Sequence, residues 1–160
     1  MRHFALFLLG AVMCLLAITS SPIRAEWVED GVFVCDQADT QEMVRTVSDG
    51  AGGAIVAWRD FRSTNYDIYA QRIDAHGNRL WTADGVPICT DAGSQSYFMM
   101  ASDGDGGAII TWHDNRNGNW DIFAQRIDAD GAVLWPTDGV VLCTASQSQM
   151  NPAIVSDGAG

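Results

Sequence analysis

The chain has 160 residues, 48% of them apolar and 18% charged, which are globular values and exclude wholesale disorder. All nine basic residues are Arg, and with twenty acidic residues they give a net charge of −11. Such a surface repels phosphate backbones and anionic lipid, so nucleic acid is excluded as the expected partner.

The N-terminus comes first in chain order. Arg2 and His3 precede a run from Phe4 to Ile18 that is apolar apart from Gly10, and Thr19-Ser20-Ser21-Pro22 end it before Ile23-Arg24-Ala25. A short positive segment, an apolar segment and a small residue at the cut form the pattern of a secretory signal peptide. The run falls short of the ~20 apolar residues that span a bilayer. Cys14 follows Ala11-Val12-Met13, which lacks the small residues that precede a lipid-modified cysteine. Residues 1–25 are therefore expected to be a signal peptide. The remainder, 26–160, is expected to be secreted or held at the cell surface, with no membrane attachment after cleavage. Losing Arg2 and Arg24 would leave seven basic against twenty acidic residues, 7 − 20 = −13.

Beyond the leader the sequence repeats. Trp27, Trp81 and Trp135 recur at one constant offset and open matching phrases: WVEDGVFVC to Cys35, WTADGVPIC to Cys89 and WPTDGVVLC to Cys143. Residues 27–80 and 81–134 agree at 28 of 54 positions, so one unit is duplicated and a third copy, 135–160, is cut short. Within the second unit four strands are predicted in order. Phe98–Ala101 comes first, then the turn Ser102-Asp103-Gly104-Asp105-Gly106, then the apolar and β-branched run Gly107–Trp112. Asp114–Asn119 supplies a hairpin turn before the third strand, Asp121–Ile127. After Asp128-Ala129-Asp130-Gly131, the segments Val133–Trp135 and Val140–Cys143 form an outer strand interrupted near Asp138-Gly139. Gly and Asp separate every run and no long stretch has helical spacing. The predicted class is all-β, with tandem four-stranded antiparallel blades of a β-propeller, about two and a half in this chain.

The phrase from Ser48 to Trp81 and its copy from Ser102 to Trp135 resemble repeats of large secreted bacterial proteins related to the sialidase-like propeller superfamily. The resemblance implies fold and export. It does not carry glycosidase activity over. The nearest match to the Asp-box turn is Ser48-Asp49-Gly50-Ala51-Gly52, with its Asp one place early and no Trp at the right distance. Sialidases hold a carboxylate with three Arg from different blades, whereas Arg62/Arg116 and Arg72/Arg126 recur at equivalent places, as structural residues do.

Recurrence separates scaffold from site. Residues that return at the repeat offset serve each unit alike, while a ligand site on a ring is asymmetric and falls on positions that differ. Trp58/Trp112, Asp60/Asp114, Asp67/Asp121 and the Ala-Gln-Arg-Ile-Asp runs from Ala70 and Ala124 are scaffold by this criterion. Asp60 with Arg62, and Asp114 with Arg116, are expected to close their turns by a charge-assisted hydrogen bond. The differences fall on one rim: Arg59 against His113, Phe61 against Asn115, Tyr66 against Trp120, and the linkers 36–47 and 90–101. The candidate binding residues are Arg59, Tyr66, His113 and Trp120, with the two rings as stacking platforms for a sugar or peptide. The alternative is that the rings only cap their hairpins.

No cofactor, metal or catalytic residue is assigned. Asp103-Gly104-Asp105-Gly106 is similar to a calcium loop, but its copies lack half the carboxylates. Cys35, Cys89 and Cys143 occupy equivalent places in successive units, farther apart than a disulfide spans, so no disulfide is expected and the thiols should be free and buried. The residues favour a non-enzymatic propeller module acting as an interaction or carbohydrate-binding scaffold for an extracellular glycan or protein. The rival is a fragment of a secreted glycoside hydrolase or lyase whose catalytic residues lie in other blades, and a further possibility is oligomerisation into a ring. Residues 156–160 match 48–52, so the chain is expected to stop inside a turn of a longer exported protein.

Overall fold

The computed structural model describes residues 31–158. The signal peptide expected at 1–25, and Trp27, lie outside the described residues. The architecture is all-β: two four-stranded antiparallel sheets, and no helix among the described residues. The first sheet contains β1 (Gln41–Ser48), β2 (Ala54–Asp60), β3 (Asp67–Ile73) and β4 (Val86–Cys89), in that order. The second contains β5 (Gln95–Ser102), β6 (Ala108–Asp114), β7 (Asp121–Ile127) and β8 (Val140–Cys143), also in chain order. Each strand of the second sheet begins and ends at the repeat offset from its counterpart in the first.

The central strand β2 is apolar and β-branched because both of its faces are covered, one by the second sheet and the other by Val34 and Cys35. In β2 and β3 the ladder runs unbroken from Ala54↔Ile73 to Asp60↔Asp67, and β6 with β7 repeats it from Ala108↔Ile127 to Asp114↔Asp121. The predicted limits of β7, and of the strand segment at β8, are those found. Three elements differ from expectation. The first strand of the second sheet starts at Gln95 rather than Phe98, since the polar Gln95 and Ser96 join the ladder opposite Asp114 and His113. For the same reason β6 runs past Trp112 to Asp114, with His113 and Asp114 also paired to Ile122 and Asp121. The segment around Val133 is reduced to a single bridge with Ile127, and only Val140–Cys143 is strand. The interruption has a local cause: Asp138 and Gly139 have φ of 60° and 91°, and a Cβ at Gly139 would stand 2.6 Å from the Trp112 ring. Only glycine accepts that conformation and that approach together.

One face of the first sheet packs against the second sheet. Ile55, Ile68, Ile88 and Cys89 meet Phe98, Ile110, Trp112 and Phe123 in one continuous core. The other face of the first sheet, Val56, Trp58 and Ile73, lies under Val34 and Cys35. The thiols of Cys35, Cys89 and Cys143 are free. Their expected burial holds for Cys89 alone: Cys35 is half-buried and Cys143 exposed, because no neighbouring sheet among the described residues covers β8 as the second sheet covers β4.

The recurring turns are self-contained. Asp49 Oδ1 accepts the N–H groups of Ala51 and Gly53 at 2.9 and 2.8 Å, and its Oδ2 accepts Arg72 Nε at 3.0 Å. Asp103 does the same with Asp105, Gly107 and Arg126. Backbone amides and a guanidinium therefore occupy both oxygens of Asp49 and of Asp103, the first carboxylate of the loop that is similar to a calcium site. Among the described residues no group of three His, Cys, Asp or Glu side chains is placed to hold a metal ion.

Candidate functional site

The hairpins between the second and third strands, and the links between sheets, share one rim. Their recurring residues hold it through hydrogen bonds to one another. Asp60 Oδ1 accepts the Arg62 backbone N–H at 2.8 Å, and Oδ2 accepts Arg62 Nη2 at 2.6 Å and Trp58 Nε1 at 2.8 Å. Asp114 repeats the set with Arg116 and Trp112 at 2.9, 2.6 and 3.0 Å. The expected turn-closing bond is thus present in both sheets. Burial pushes the Asp60 and Asp114 carboxyls up, but the hydrogen bonds from Arg and Trp outweigh it and hold both below the ordinary carboxylate value. Asp67 goes the other way, since its burial exceeds what the Ser63 hydroxyl returns.

The four candidate residues differ from this scaffold in kind, and the structure brings them into one chain of contacts that crosses from the first sheet to the second. The Arg59 guanidinium lies over the Tyr66 ring, 3.9 Å from its centroid, and Tyr66 tilts against Phe61 with centroids 4.9 Å apart. Arg59 also pairs with Glu42, its cross-strand neighbour, and its Nη1 donates to Ser96 Oγ in the second sheet at 2.6 Å. Ser96 is in turn the cross-strand neighbour of His113. The His113 ring tilts against Trp120 at 4.6 Å and stacks with Tyr97 at 6.0 Å. Tyr66, Arg59, Ser96, His113 and Trp120 therefore form a continuous strip along the rim.

The electrostatics of the strip are nearly balanced. The hydrogen bond from Arg59 holds the Glu42 carboxyl below its ordinary value, so the pair is charged. Burial, followed by the nearby Arg59 charge, pushes His113 below 6.5, so its imidazole is neutral at pH 7. The Asn151 N–H donates to His113 Nδ1 at 3.4 Å, which requires that nitrogen to be an acceptor. His113 is only 4% exposed and supports the strip from beneath, while Tyr66 and Trp120 are half-buried and Tyr97 is 38% exposed. The accessible part of the strip consists of aromatic edges and faces beside a guanidinium and a hydroxyl. That combination suits stacking and hydrogen bonding to a neutral polar ligand.

Comparison of the two units by sequence missed Glu42, Ser96 and Tyr97 as members of the strip. Their signal is the same as that of the four candidates: each differs from its counterpart in the other unit, Glu42 from Ser96 and Met43 from Tyr97. They lie in a strand that bulges between Glu42 and Arg45, and again between Ser96 and Met99. The bulge puts Met43 and Tyr97 at φ of 53° and 40° and turns Tyr97 out to the rim. No protein-family model, curated protein or solved structure matches this chain. Among the described residues no helix is long and apolar enough to cross a membrane.

Proposed function

We propose that the chain is part of an exported β-propeller and serves as a non-enzymatic binding module, taking a neutral glycan or a polar protein segment on the rim strip. The observation that carries this is the continuity of Tyr66, Arg59, Ser96, His113 and Trp120 across two sheets. Recurring positions such as Asp60 and Asp114 carry structural bonds, whereas the varying Arg59, Tyr66, His113 and Trp120 lie together along the rim. The propeller reading is supported by two four-stranded meanders related by the repeat offset and packed face to face. It is also supported by the likeness of Ser48–Trp81 to sialidase-like repeats, and export by the pattern of residues 1–25.

Retention of the wild-type chain and of a Tyr66→Ala/Trp120→Ala variant on a panel of immobilised neutral polysaccharides tests the carbohydrate form of the proposal. The expected result is retention of the wild type on at least one member and loss of at least about tenfold in affinity by the variant, the cost of removing stacking rings from a site. Equal retention of the two would remove the strip from binding. No retention of either would remove the carbohydrate.

A further inference from the structure

We propose that His113 is a proton-operated support of the rim strip: neutral, it holds Tyr97 and Trp120 in place, and protonated, it leaves its position and the strip releases its ligand. Loss of ligand rests on the binding function proposed above; the movement of the rings does not. The first observation is the position of the imidazole. It is 4% exposed and lies against both accessible aromatic rings of the second sheet. It stacks with Tyr97 at 6.0 Å and tilts against Trp120 at 4.6 Å. Among the described residues neither ring has another aromatic contact. Tyr97 comes from the bulge of β5 and Trp120 from the hairpin before β7, so His113 is the side chain that joins them.

The second observation is that the surroundings of the ring suit its neutral form. The Asn151 N–H donates to Nδ1 at 3.4 Å, a bond that a proton on Nδ1 removes. Arg59 brings a permanent positive charge from the first sheet, bonded to Ser96, the cross-strand neighbour of His113. The carboxylates of these surroundings are already engaged. Asp114, next along β6, accepts the Arg116 backbone N–H, Arg116 Nη2 and Trp112 Nε1. Glu42 of β1 is paired with Arg59 and is further held by the Tyr66 hydroxyl. Tyr97 of β5 is the other titratable group against the ring, while Ile122, its partner on β7, carries no charge. Burial and then the Arg59 charge oppose protonation, and Asp114 returns less than these two take. An imidazolium here is a second buried cation beside the first, and it regains hydration only by leaving.

The third observation is the same place in the first sheet. Arg59 is the counterpart of His113 and lies on Tyr66 as His113 lies on Trp120. Its charge is matched by its cross-strand neighbour, Glu42. The counterpart of Glu42 beside His113 is Ser96, a hydroxyl that cannot balance a cation. The first half of the strip therefore carries a matched, permanent charge, and the second half accepts only a neutral side chain. A folded pKa below the unfolded one means that the neutral arrangement is complete above the unfolded value and is lost as pH falls through the folded one. The strip is whole at neutral pH, and in mild acid Tyr97 and Trp120 lose the support they share.

NMR of the full chain from neutral to acid pH reads both partners: histidine Hε1 resonances report the proton and indole N–H resonances report the strip. His113 is assigned by its loss in His113→Asn and Trp120 by its loss in Trp120→Phe. The expected result is a His113 midpoint below that of the same residue in urea, with the Trp120 indole shifting at that midpoint and the Trp58 indole unmoved. Arg59→Gln, which keeps the histidine, should raise the midpoint toward the unfolded value. On a neutral polysaccharide that retains the chain at about pH 7, apparent affinity should follow the neutral fraction and fall about tenfold one pH unit below the midpoint. A folded midpoint at or above the unfolded one would overturn the proposal, since Trp120 would then hold the imidazolium as Tyr66 holds Arg59. Titration of His113 that leaves the Trp120 indole in place, or a Trp120 shift that persists in His113→Asn, would overturn it too. Absence of retention at every pH, with the two resonances still moving together, would remove the binding function and leave the proton-operated support standing.

Discussion

Ile88 in β4 and Leu142 in β8 hold the same place in their sheets, yet Ile88 is 2% exposed and Leu142 59%. Cys89 and Cys143, one residue further on, differ in the same sense. The strands have the same length, the same partner and the same shifted register against β3 and β7. What differs is the neighbour: the second sheet lies on β4, and no sheet among the described residues lies on β8. Burial of an outer strand in this molecule is therefore conferred by the adjoining sheet and not by the strand's own residues. The same comparison on the rim has the opposite sense. There the residues themselves differ, Arg59 against His113 and Tyr66 against Trp120, and the contacts between sheets join them into one surface.

The comparison can be broken most forcefully at the two tryptophans. Trp112 lies in the large core between sheets, whereas Trp58 belongs to a smaller cluster with Val56 and Ile73, covered by Val34 and Cys35. Trp112→Ala is expected to cost about 3–5 kcal/mol and Trp58→Ala distinctly less, because a site that can collapse around a cavity loses less. Urea unfolding of both variants measures the difference, and equal losses would show that segment 31–35 packs as firmly as a whole sheet.

A smaller effect is expected at the outer strands. Ile88→Ala should cost about 2–4 kcal/mol, and Leu142→Ala should stay within about 0.5 kcal/mol. A large loss at Leu142, read in the same urea titration, would mean that this face is covered in solution.

The mildest perturbation is acid. Asp49, Asp60, Asp103 and Asp114 are all held below 3.8 in the folded chain, so they bind protons less readily folded than unfolded. Their contribution is complete above that value and is lost as pH falls through their folded values. Asp67 has the reverse sign: its raised pKa opposes folding at neutral pH, and the opposition is relieved in acid. Glu42, Asp74 and Asp84 are lowered as well, so with seven carboxyls against one, Tm should fall steadily below about pH 4, the ordinary range for aspartate. Asp60→Asn and Asp114→Asn should flatten that decline to the same extent, since their bonds are equivalent. Thermal unfolding followed by circular dichroism between neutral and acid pH reads both, and a decline flattened by only one variant would break the equivalence of the sheets.

Much of the fold was legible because the chain supplies its own comparison. Runs such as Asp121–Ile127, bounded by Asn and Gly, become strands with the limits the pattern indicates. The Asp60–Arg62 bond follows from two side chains two residues apart at a turn, a purely local geometry. The start of β5 was not legible, because Gln95 and Ser96 join the ladder through cross-strand partners and not through any apolar pattern. The site was legible as a set of differing positions but not as a surface. Nothing in the spacing of Arg59 and Ser96 places a guanidinium of one sheet on a hydroxyl of the next.

Local chemistry of the sequence therefore determined the strands, the turns and the bonds that close them, since those depend on residues a few places apart. Only the tertiary structure decided which faces are covered, that Cys89 is buried while Cys143 is not, and that Tyr66 and Trp120 belong to one strip. Those properties arise from the packing of one sheet on another, which joins residues of different repeat units and has no counterpart in local pattern.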